Sequence, residues 1–432
     1  MKLCWSMFDI VEQASGGHII RNTMTGAVAF LSSVDYGSIS EAISNGTLVA
    51  TSDIEDLIGD NGILVDREED EVALFSRMFF DTRNSGTDTF TLHFLPTIAC
   101  QLSCSYCFEN GGERKGVMKE NVMEKSMEWL NEYFSVHNLR RMKVVLFGGE
   151  PLLGVKMIKK ALPLFSALAE RCSLDYRTEL VTNGELLTED VASFLYGYSW
   201  RRLQVTLDGP KDIHDGLRFG NKRRPTFDTI ISNMLMVLSQ EYIDKVDIRI
   251  NYSLQTRDRV VDLLEYLARL GVQEKLNLSF GIIMPTLEGS MQISEDDSAN
   301  AYVLFCTKAK ELGFETPVEY TVGPWCVAIE KHSVVLQPDG SLQKCISTVG
   351  RNQYNFSDIS ILPAGYAKDT RFEMFKRTED CKKEKCSYIP ICGGGCPWDA
   401  LVAHGEHGFG MRFCQKKLLD TINRGLLRLN YS

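Results

Sequence analysis

Residues 99–109 read ACQLSCSYCFE and place Cys100, Cys104 and Cys107 in one short loop with the spacing Cys-x3-Cys-x2-Cys. Thiolates are the usual ligands of a [4Fe–4S] cluster, which needs four of them. Three thiolates in one loop therefore leave one iron open to a chelating substrate or cofactor. The alternative for the same cysteines is a zinc site whose fourth ligand lies elsewhere in the chain.

The sequence around this loop alternates between strands and helices. Such alternation predicts parallel strands that are joined by right-handed crossovers. Six strand–helix units are fewer than the eight of a closed TIM barrel, so we expect an α/β fold with a partial (β/α)6 TIM-like barrel. The apolar or β-branched runs that we interpret as its strands lie at residues 91–95, 143–147, 178–182, 203–207, 246–253 and 276–284.

Two further motifs follow strands of this predicted barrel, at the strand ends where sites on such sheets lie. Residues 146–153 read LFGGEPLL, and their two glycines either let a ligand approach the backbone or form a simple turn into a helix. Residues 205–218 read VTLDGPKDIHDGLR and end on Arg218, which can bind a carboxylate through two hydrogen bonds. A surface ion pair of Arg218 with Asp212 or Asp215 is the alternative.

Composition excludes several classes of protein. The chain has 432 residues, too many for one ordinary domain, and a net charge of −10, which argues against a nucleic-acid partner. No apolar run approaches the ~20 residues that span a bilayer, and the N-terminus does not read as a signal peptide, so we expect a cytoplasmic protein with no membrane partner. In that reducing compartment, 13 cysteines favour iron–sulfur or metal ligation over disulfides, although Cys4, Cys172 and Cys306 stand alone.

The loop at residues 99–109 resembles the signature of the radical S-adenosylmethionine (radical SAM) superfamily, including the tyrosine before its third cysteine. The resemblance implies that S-adenosylmethionine chelates the open iron and is cleaved to a 5′-deoxyadenosyl radical, which abstracts hydrogen from the substrate. It also implies that the Gly-Gly-Glu segment contacts the methionine amino group. The residues that the resemblance assigns to S-adenosylmethionine binding are Tyr106, Gly148, Gly149, Glu150, Thr206 and Arg218.

The last part of the chain carries seven cysteines in a pattern that resembles the SPASM extension of this superfamily, which houses two auxiliary [4Fe–4S] clusters. The resemblance implies an outer cluster held by Cys381, Cys386, Cys392 and Cys414, and an inner cluster held by Cys326, Cys345 and Cys396. One departure is the segment KKEK, four residues between the first two cysteines of the outer set, where the family usually has two. The inner set has three thiolates, so its fourth ligand is either His332 or an open position for a substrate thiolate. A zinc ribbon is the alternative for the whole region.

The residues before the predicted barrel, 1–88, contain no cysteine cluster. Within them, residues 18–31 read HIIRNTMTGAVAFL, two apolar runs around a turn, which predicts a hairpin. We expect a small α+β module that binds the leader of a precursor peptide as an added β-strand, or that only caps the barrel. The predicted domains are therefore this module, the barrel over 89–300 and a loop-rich iron–sulfur (SPASM) domain over 301–432, with a polar linker at 81–89.

Two SPASM classes compete for the function that the resemblance implies. Anaerobic sulfatase maturases oxidise a Cys or Ser of a protein to formylglycine, and they usually carry an Asp where this chain has Ile346. Peptide maturases modify ribosomally made precursors, and many carry a leader-binding module. We therefore expect a peptide maturase that installs a thioether or other crosslink.

The expected cofactors are three [4Fe–4S] clusters and S-adenosylmethionine. As partners we expect a precursor peptide with its leader and a small electron-donor protein, either flavodoxin or ferredoxin. Outside this class of enzymes, the alternatives are a non-catalytic iron–sulfur electron carrier and a zinc-binding scaffold protein.

Overall fold

A computed structural model of the chain describes residues 2–84, 88–107, 116–283, 295–322, 326–361, 374–405, 408 and 411–431. The last two residues of the 99–109 stretch, and residues 85–87 of the predicted linker, lie outside the described part.

The strands of the described part are β1 Leu3–Trp5, β2 Asp9–Ala14, β3 Gly17–Asn22, β4 Val28–Ser32, β5 Leu64–Asp66, β6 Thr89–Phe94, β7 Arg141–Leu146, β8 Asp175–Thr182, β9 Trp200–Thr206, β10 Val246–Tyr252, β11 Leu276–Ile282, β12 Ser333–Leu336, β13 Ser341–Gln343 and β14 Ser357–Asp358. The α-helices are α1 Ser33–Ser44, α2 Glu71–Asn84, α3 Glu120–Val136, α4 Val155–Arg171, α5 Glu189–Tyr196, α6 Lys211–Leu217, α7 Phe227–Ser239, α8 Val260–Arg269, α9 Glu295–Glu311, α10 Met374–Lys383, α11 Ile389–Cys392, α12 Pro397–His404 and α13 Lys416–Tyr431. Short 3-10 helices span Ser52–Leu57, Gly59–Asn61, Pro151–Gly154, Asn221–Arg223, Arg257–Arg259, Gln273–Lys275, Ile346–Thr348 and Asn352–Tyr354.

Six parallel strands form the main sheet, in the order β11-β10-β9-β8-β7-β6. Each predicted apolar run overlaps one of these strands, although residue 284 of the last run lies outside the described residues. A helix follows each of the first five strands before the next strand begins. Because consecutive strands are neighbours in the sheet, their carboxyl ends meet along one edge. The predicted α/β fold with a partial barrel is confirmed.

The sheet continues beyond β6 with three strands from the C-terminal region. β12 pairs parallel to β6, and β13 and β14 then extend the sheet in antiparallel fashion. The sequence analysis predicted a loop-rich domain here and did not identify these strands, because strands of four residues or fewer show no usable period. This extension brings β13, which ends two residues before Cys345, to the β6 side of the sheet.

The two faces of the main sheet differ in polarity. One face packs its apolar residues against the helices, and the Phe94 and Phe165 rings, for example, meet edge to face at 5.3 Å. The other face carries charged side chains that bridge neighbouring strands, such as Glu179 Oε2 at 3.7 Å from the Arg202 guanidinium. The apolar core therefore lies between sheet and helices, while the inner face of the barrel is polar.

The N-terminal residues form a three-stranded antiparallel sheet, β2-β3-β4, beside a β1–β5 pair. The predicted hairpin is present as β3 and β4. Apolar residues of this part, among them Phe8 and Ile10, share one core with the C-terminal cysteines. Arg424 of α13 also donates a hydrogen bond to the carbonyl of Val11 in β2. The first and last parts of the chain thus pack as one body.

Helix α9 crosses residue 300, where the sequence analysis predicted a domain boundary, and packs against α13. Among the described helices, none is both long enough and apolar enough to cross a membrane.

Substituting Gly425 by Ala should destabilise the protein, because a Cβ there would lie 2.5 Å from Val303 Cγ2, across the contact of α13 with α9. Overpacking of this kind costs about 1–3 kcal/mol. Gly37→Ala is the matched control, because Gly37 is exposed in α1 and no atom lies within 4 Å of the added Cβ. This variant should be more stable than the parent by about 0.5–1 kcal/mol. Thermal unfolding of the holoprotein under anaerobic conditions measures both, and equal melting temperatures would contradict the packing.

Lowering the pH should destabilise the protein because of His93 on β6. This residue is buried, and its Nδ1 has no hydrogen-bond partner among the described residues. Burial, and secondly the charge of Lys143, lower the pKa of His93 to about 3. Below about pH 6.5 the unfolded chain binds a proton at His93 and the folded protein does not. The free energy of unfolding therefore decreases by up to ~1.4 kcal/mol for each unit by which the pH is lowered between the two pKa values. His93→Leu should flatten the dependence of the unfolding midpoint on pH between about pH 7.5 and 5. Equal slopes for the two proteins would refute a buried neutral His93.

Candidate active site

A cavity of about 480 Å³ opens at the carboxyl ends of the barrel strands. Eight of the nine residues that the sequence analysis placed around the open iron line it: Cys100, Cys104, Tyr106, Cys107, Gly148, Gly149, Thr206 and Arg218. Glu150 is the ninth, and it does not reach the cavity wall. The cavity also has residues that the analysis did not select: Asn183, Arg249 and Asn251 from the barrel, and Ile346, Ser347, Trp398 and Asp399 from the C-terminal region.

The cysteine loop is held by backbone contacts to the segment that follows α6. Ser103 N donates to Phe219 O at 3.0 Å, and Ser105 N donates to Leu217 O at 3.3 Å. The Cys100 sulfur accepts from the backbone N–H of Leu102 at 3.4 Å. The loop therefore has a defined shape, which it owes to neighbours distant in sequence.

Burial raises the pKa of the Cys100 thiol to about 12 and that of Cys104 to about 11. Without a counter-charge these thiols stay protonated, and binding of iron would release their protons. Among the described residues, no group of three or more His, Cys, Asp or Glu side chains converges on a point that could hold a single metal ion. A four-iron cluster is a wider group, because each thiolate binds a different iron, so thiols that share one cavity fit it.

Gly148 and Gly149 allow the turn after β7 to lie directly on the cysteine loop. A Cβ at Gly148 would stand 2.2 Å from Thr97 O, and one at Gly149 would stand 2.5 Å from Ala99 O. The backbone of Gly148 also has φ of +137°, which favours glycine. Any side chain at these two positions would push the loop away.

Glu150 connects three elements from a fully buried position. Its Oε1 accepts from Leu152 N at 3.0 Å and from the Thr182 hydroxyl at 2.8 Å, and its Oε2 accepts from Asn183 N at 2.8 Å. Burial raises the pKa of Glu150, while these hydrogen bonds act in the opposite direction. The side chain ties the end of β8 to the turn after β7, so its role in this structure is to position the cavity wall.

Arg218 belongs to a buried polar network with Tyr106, Asp208 and Asn251. Its Nη1 donates to the Tyr106 hydroxyl at 2.7 Å, and the same guanidinium lies 3.6 Å from Asp208 Oδ2. The Tyr106 hydroxyl donates to Asp208, which also accepts from Asn251 Nδ2 at 3.2 Å. Burial raises the pKa of Tyr106 far above its usual value, so the hydroxyl remains a donor.

The surface ion pair considered for Arg218 is not formed. Asp212 pairs with Arg259 at 3.0 Å, and Asp215 accepts from the backbone N–H of Thr226 at 2.7 Å. The Nε of Arg218 is buried and has no hydrogen-bond partner among the described residues. One donor of a cavity-lining guanidinium is therefore left for an anionic group, which suits the carboxylate of a methionyl ligand.

Arg249 was missed because nothing near it in sequence marks a site. Its guanidinium donates to Asn251 Oδ1 at 3.1 Å and lies against Gly281 of β11, where a Cβ would stand 2.1 Å from Nη2. The Arg249 side chain fits there only because the neighbouring strand has a glycine at this position. This contact between strands cannot be predicted from the local sequence.

The seven C-terminal cysteines separate into two groups. Cys381, Cys386, Cys392 and Cys414 line one small cavity, where Arg412 Nη1 lies 3.9 Å from the Cys381 sulfur. Cys326, Cys345 and Cys396 lie near one another. The charge of Cys326 raises the pKa of Cys345, and the charges of Cys345 and Cys326 raise the pKa of Cys396. These are the outer and inner sets that the sequence analysis expected.

The separation of Cys392 from Cys396 comes from three consecutive glycines. Gly393, Gly394 and Gly395 have φ values of +60°, +82° and +89°. This left-handed run carries the chain away from the outer set, and a Cβ at Gly395 would stand 2.0 Å from Phe413 O.

His332 lies apart from the inner set. Its Nδ1 is 2.7 Å from the Tyr133 hydroxyl, and its ring meets that of His137 at 4.9 Å. The imidazole faces α3 rather than the cysteines. Of the isolated cysteines, Cys172 ends α4 and Cys306 is buried in α9, both outside these groups.

Two segments close the cavity on the side of the inner set. Ile346 and Ser347 follow Cys345, and Trp398 and Asp399 follow Cys396. Burial raises the pKa of Asp399 to about 6, and a hydrogen bond to the sulfur of Cys396 acts against that rise. The cavity is therefore bounded by the three-cysteine loop on one side and by residues that follow two of the inner cysteines on the other.

Residues 94–291 match the family described as the Radical SAM superfamily. This chain contains a radical SAM domain. The domain marks the chain as an enzyme, so the non-catalytic electron carrier and the zinc-binding scaffold are removed as alternatives.

Two sulfatase-maturating enzymes are similar to parts of the chain. The serine-type enzyme of Bacteroides thetaiotaomicron is 30% identical over 138 residues, which are 30% of this chain and 31% of the relative, so the chain spans less than a third of that protein. The cysteine-type enzyme of Clostridium novyi is 22% identical over 343 residues, 69% of this chain and 84% of the relative.

Solved structures share the fold of the radical SAM domain and its extensions. The native enzyme anSMEcpe with bound AdoMet and Cp18Cys peptide aligns over 79% of this chain and 98% of its own, with a TM-score of 0.63 and 19% identity. SuiB of Streptococcus suis bound to precursor peptide SuiA aligns over 96% of this chain and 100% of its own, with a TM-score of 0.55 and 15% identity. At these identities the likeness concerns the fold alone.

Glu150→Gln should destabilise the radical SAM domain by about 1–3 kcal/mol, because an amide would turn a donor toward the buried N–H of Asn183. Glu189→Gln is the control, since Glu189 is exposed in the first turn of α5 and its change should stay within about 0.5 kcal/mol. Anaerobic thermal unfolding of both variants measures the difference. A Glu150→Gln protein as stable as the control would show that the three hydrogen bonds of the Glu150 carboxylate do not stabilise the cavity wall.

Proposed function

We propose that this protein is a radical SAM peptide maturase that abstracts hydrogen from a ribosomally made precursor peptide. The single observation that supports this best is the shared cavity, in which the three-cysteine loop and Arg218 face residues that follow Cys345 and Cys396. A substrate in such a cavity would lie between the site of radical formation and the inner set of cysteines.

In this proposal Cys100, Cys104 and Cys107 hold the first [4Fe–4S] cluster. When bound there, the cluster and S-adenosylmethionine supply the one-electron chemistry that yields a 5′-deoxyadenosyl radical. Arg218, through its free Nε, and Thr206 would hold the ligand's carboxylate. The Gly148–Gly149 turn would leave backbone groups close to the amino group, and Glu150 and Tyr106 would act through the residues they position.

The seven C-terminal cysteines would hold two auxiliary clusters, which brings the proposed total to three. The outer four thiols line their own small cavity, and the inner three lie beside the large one. We further propose a cytoplasmic location, since the thiols need a reducing compartment, and a flavodoxin or ferredoxin as the electron donor.

The leader of the precursor would add a strand to β4. This strand pairs with β3 on one side, and the other edge has no strand partner among the described residues. On the opposite edge of the sheet, α13 contacts β2. An open edge offers backbone hydrogen bonds to an extended peptide. SuiB, which has the same fold, was solved with a precursor peptide bound.

A sulfatase-maturase-like enzyme is the second candidate, and the similarity to two sulfatase-maturating enzymes favours it. Ile346 argues against it, because this side chain lines the cavity at the position where those enzymes usually carry an Asp. An aliphatic side chain cannot accept a proton there. We therefore prefer peptide crosslinking. A thioether is the preferred bond because the inner set has only three thiols, which leaves a position that a substrate thiolate could take.

After anaerobic reconstitution the protein should contain about twelve irons per chain, four for each of three clusters. With a reductant and S-adenosylmethionine it should form 5′-deoxyadenosine, which chromatography measures. Cys104→Ala should abolish this product, whereas Cys172→Ala, which changes a thiol outside all three sets, should not. Stoichiometric zinc without iron, or an active Cys104→Ala protein, would refute the proposal.

The substrate class is tested by co-expression with a short cysteine-containing peptide encoded beside this gene. A thioether would lower the peptide mass by two hydrogen atoms and remove one free thiol, which mass spectrometry after alkylation detects. Conversion of a sulfatase-derived Cys or Ser peptide to formylglycine, with the neighbouring peptide unchanged, would instead establish the second candidate.

A further inference from the structure

Asp399 is the one carboxylate on the cavity wall that touches the inner set of cysteines. It lies in the first turn of α12, whose N-cap is Cys396. Its backbone N–H and its carboxylate both lie close enough to Cys396 to act on the pKa of one or the other group. Its charge also acts on Cys345. Asp399 therefore stands at the edge of the three thiols, on the side that faces the cavity.

Among the described residues, no Lys, Arg or His forms an ion pair with Asp399, which is only partly exposed to solvent. A buried carboxylate without a cation or a full set of donors is costly. An iron of a cluster bound by the adjacent thiols would give this carboxylate a ligand-type partner.

The inner set also lacks a ligand. Cys326, Cys345 and Cys396 provide three thiolates, and a [4Fe–4S] cluster has four irons to bind. His332, the residue considered for the fourth position, instead contacts Tyr133 at 2.7 Å. A carboxylate oxygen is a possible iron ligand, and Asp399 has the right location.

We propose that Asp399 is the fourth ligand of the inner auxiliary cluster, an inference that rests on the cluster assignment in the proposed function. A carboxylate donates less electron density to iron than a thiolate does, so the inner cluster should accept an electron more readily than one held by four cysteines. The cavity face of this cluster is then closed by a residue of the chain itself in the resting enzyme.

The alternative role for Asp399 is purely structural, since an acidic residue in the first turn stabilises a helix. The two roles differ in what they do to iron. A helix-stabilising residue would change the stability of α12, whereas a ligand would also change the iron content and the potential of one cluster.

The test uses the full chain with Cys100, Cys104 and Cys107 all changed to Ala, so that only the auxiliary clusters contribute iron. In this background the protein should hold about eight irons per chain. Asp399→Ala should lose about one iron on mild oxidation and give the EPR signal of a three-iron cluster. Asp399→Cys should keep all of its iron and show a midpoint potential lower than that of the parent. Glu379→Ala, which removes an exposed carboxylate of α10, is the control and should match the parent.

An Asp399→Ala protein with the iron content, EPR signal and potential of the Glu379→Ala control would overturn Asp399 as a ligand. The Asp399→Cys variant keeps the test decisive if the alanine variant does not fold, because an unchanged potential in it also excludes ligation. Cys326→Ala tests the underlying assignment separately. If that variant keeps about eight irons and both reduced signals, the inner cluster itself is wrongly assigned, and the proposed function fails at that point.

Discussion

The backbone contact between the cysteine loop and the turn after β7 is the constraint on which the site depends. Gly148 and Gly149 lie so close to Thr97 and Ala99 that no side chain fits between them. Glu150 N then donates to Ala99 O at 2.8 Å, and the Glu150 carboxylate extends the connection to the end of β8. Three neighbouring strand ends are thereby fixed relative to one another. The position of the thiols thus follows from main-chain packing.

The barrel was predictable because its signals are local. Each strand is an apolar run followed by a helical period, and the loop with Cys100 follows the first run directly. The cysteines, the two glycines, Thr206 and Arg218 were found because they form short motifs at strand ends, and the structure gathers them around one cavity. The roles that family resemblance assigned to them remain predictions.

Other parts of the site depend on contacts that are distant in sequence. Arg249 has space beside the cavity because its neighbour on the next strand is Gly281. Asp399 lines the same cavity from α12, about 300 residues after the three-cysteine loop. Glu150 was expected at the ligand, yet its carboxylate is used entirely by three internal donors. Periodicity and spacing describe what a segment is, and they do not tell which segments meet.

The core shared by the N-terminal strands and the C-terminal cysteines has a consequence for biosynthesis. β2 leaves the ribosome about 400 residues before α13, which donates a hydrogen bond to Val11. The N-terminal sheet must therefore wait with its apolar face exposed until α13 has been made. Phe8 and Ile10 pack on the same core as Cys381 and Cys392, so completion of that core and assembly of the outer cysteine group are late, coupled events. A nascent chain that stalls before α13 would present both an unburied sheet and unprotected thiols to the cell's chaperones.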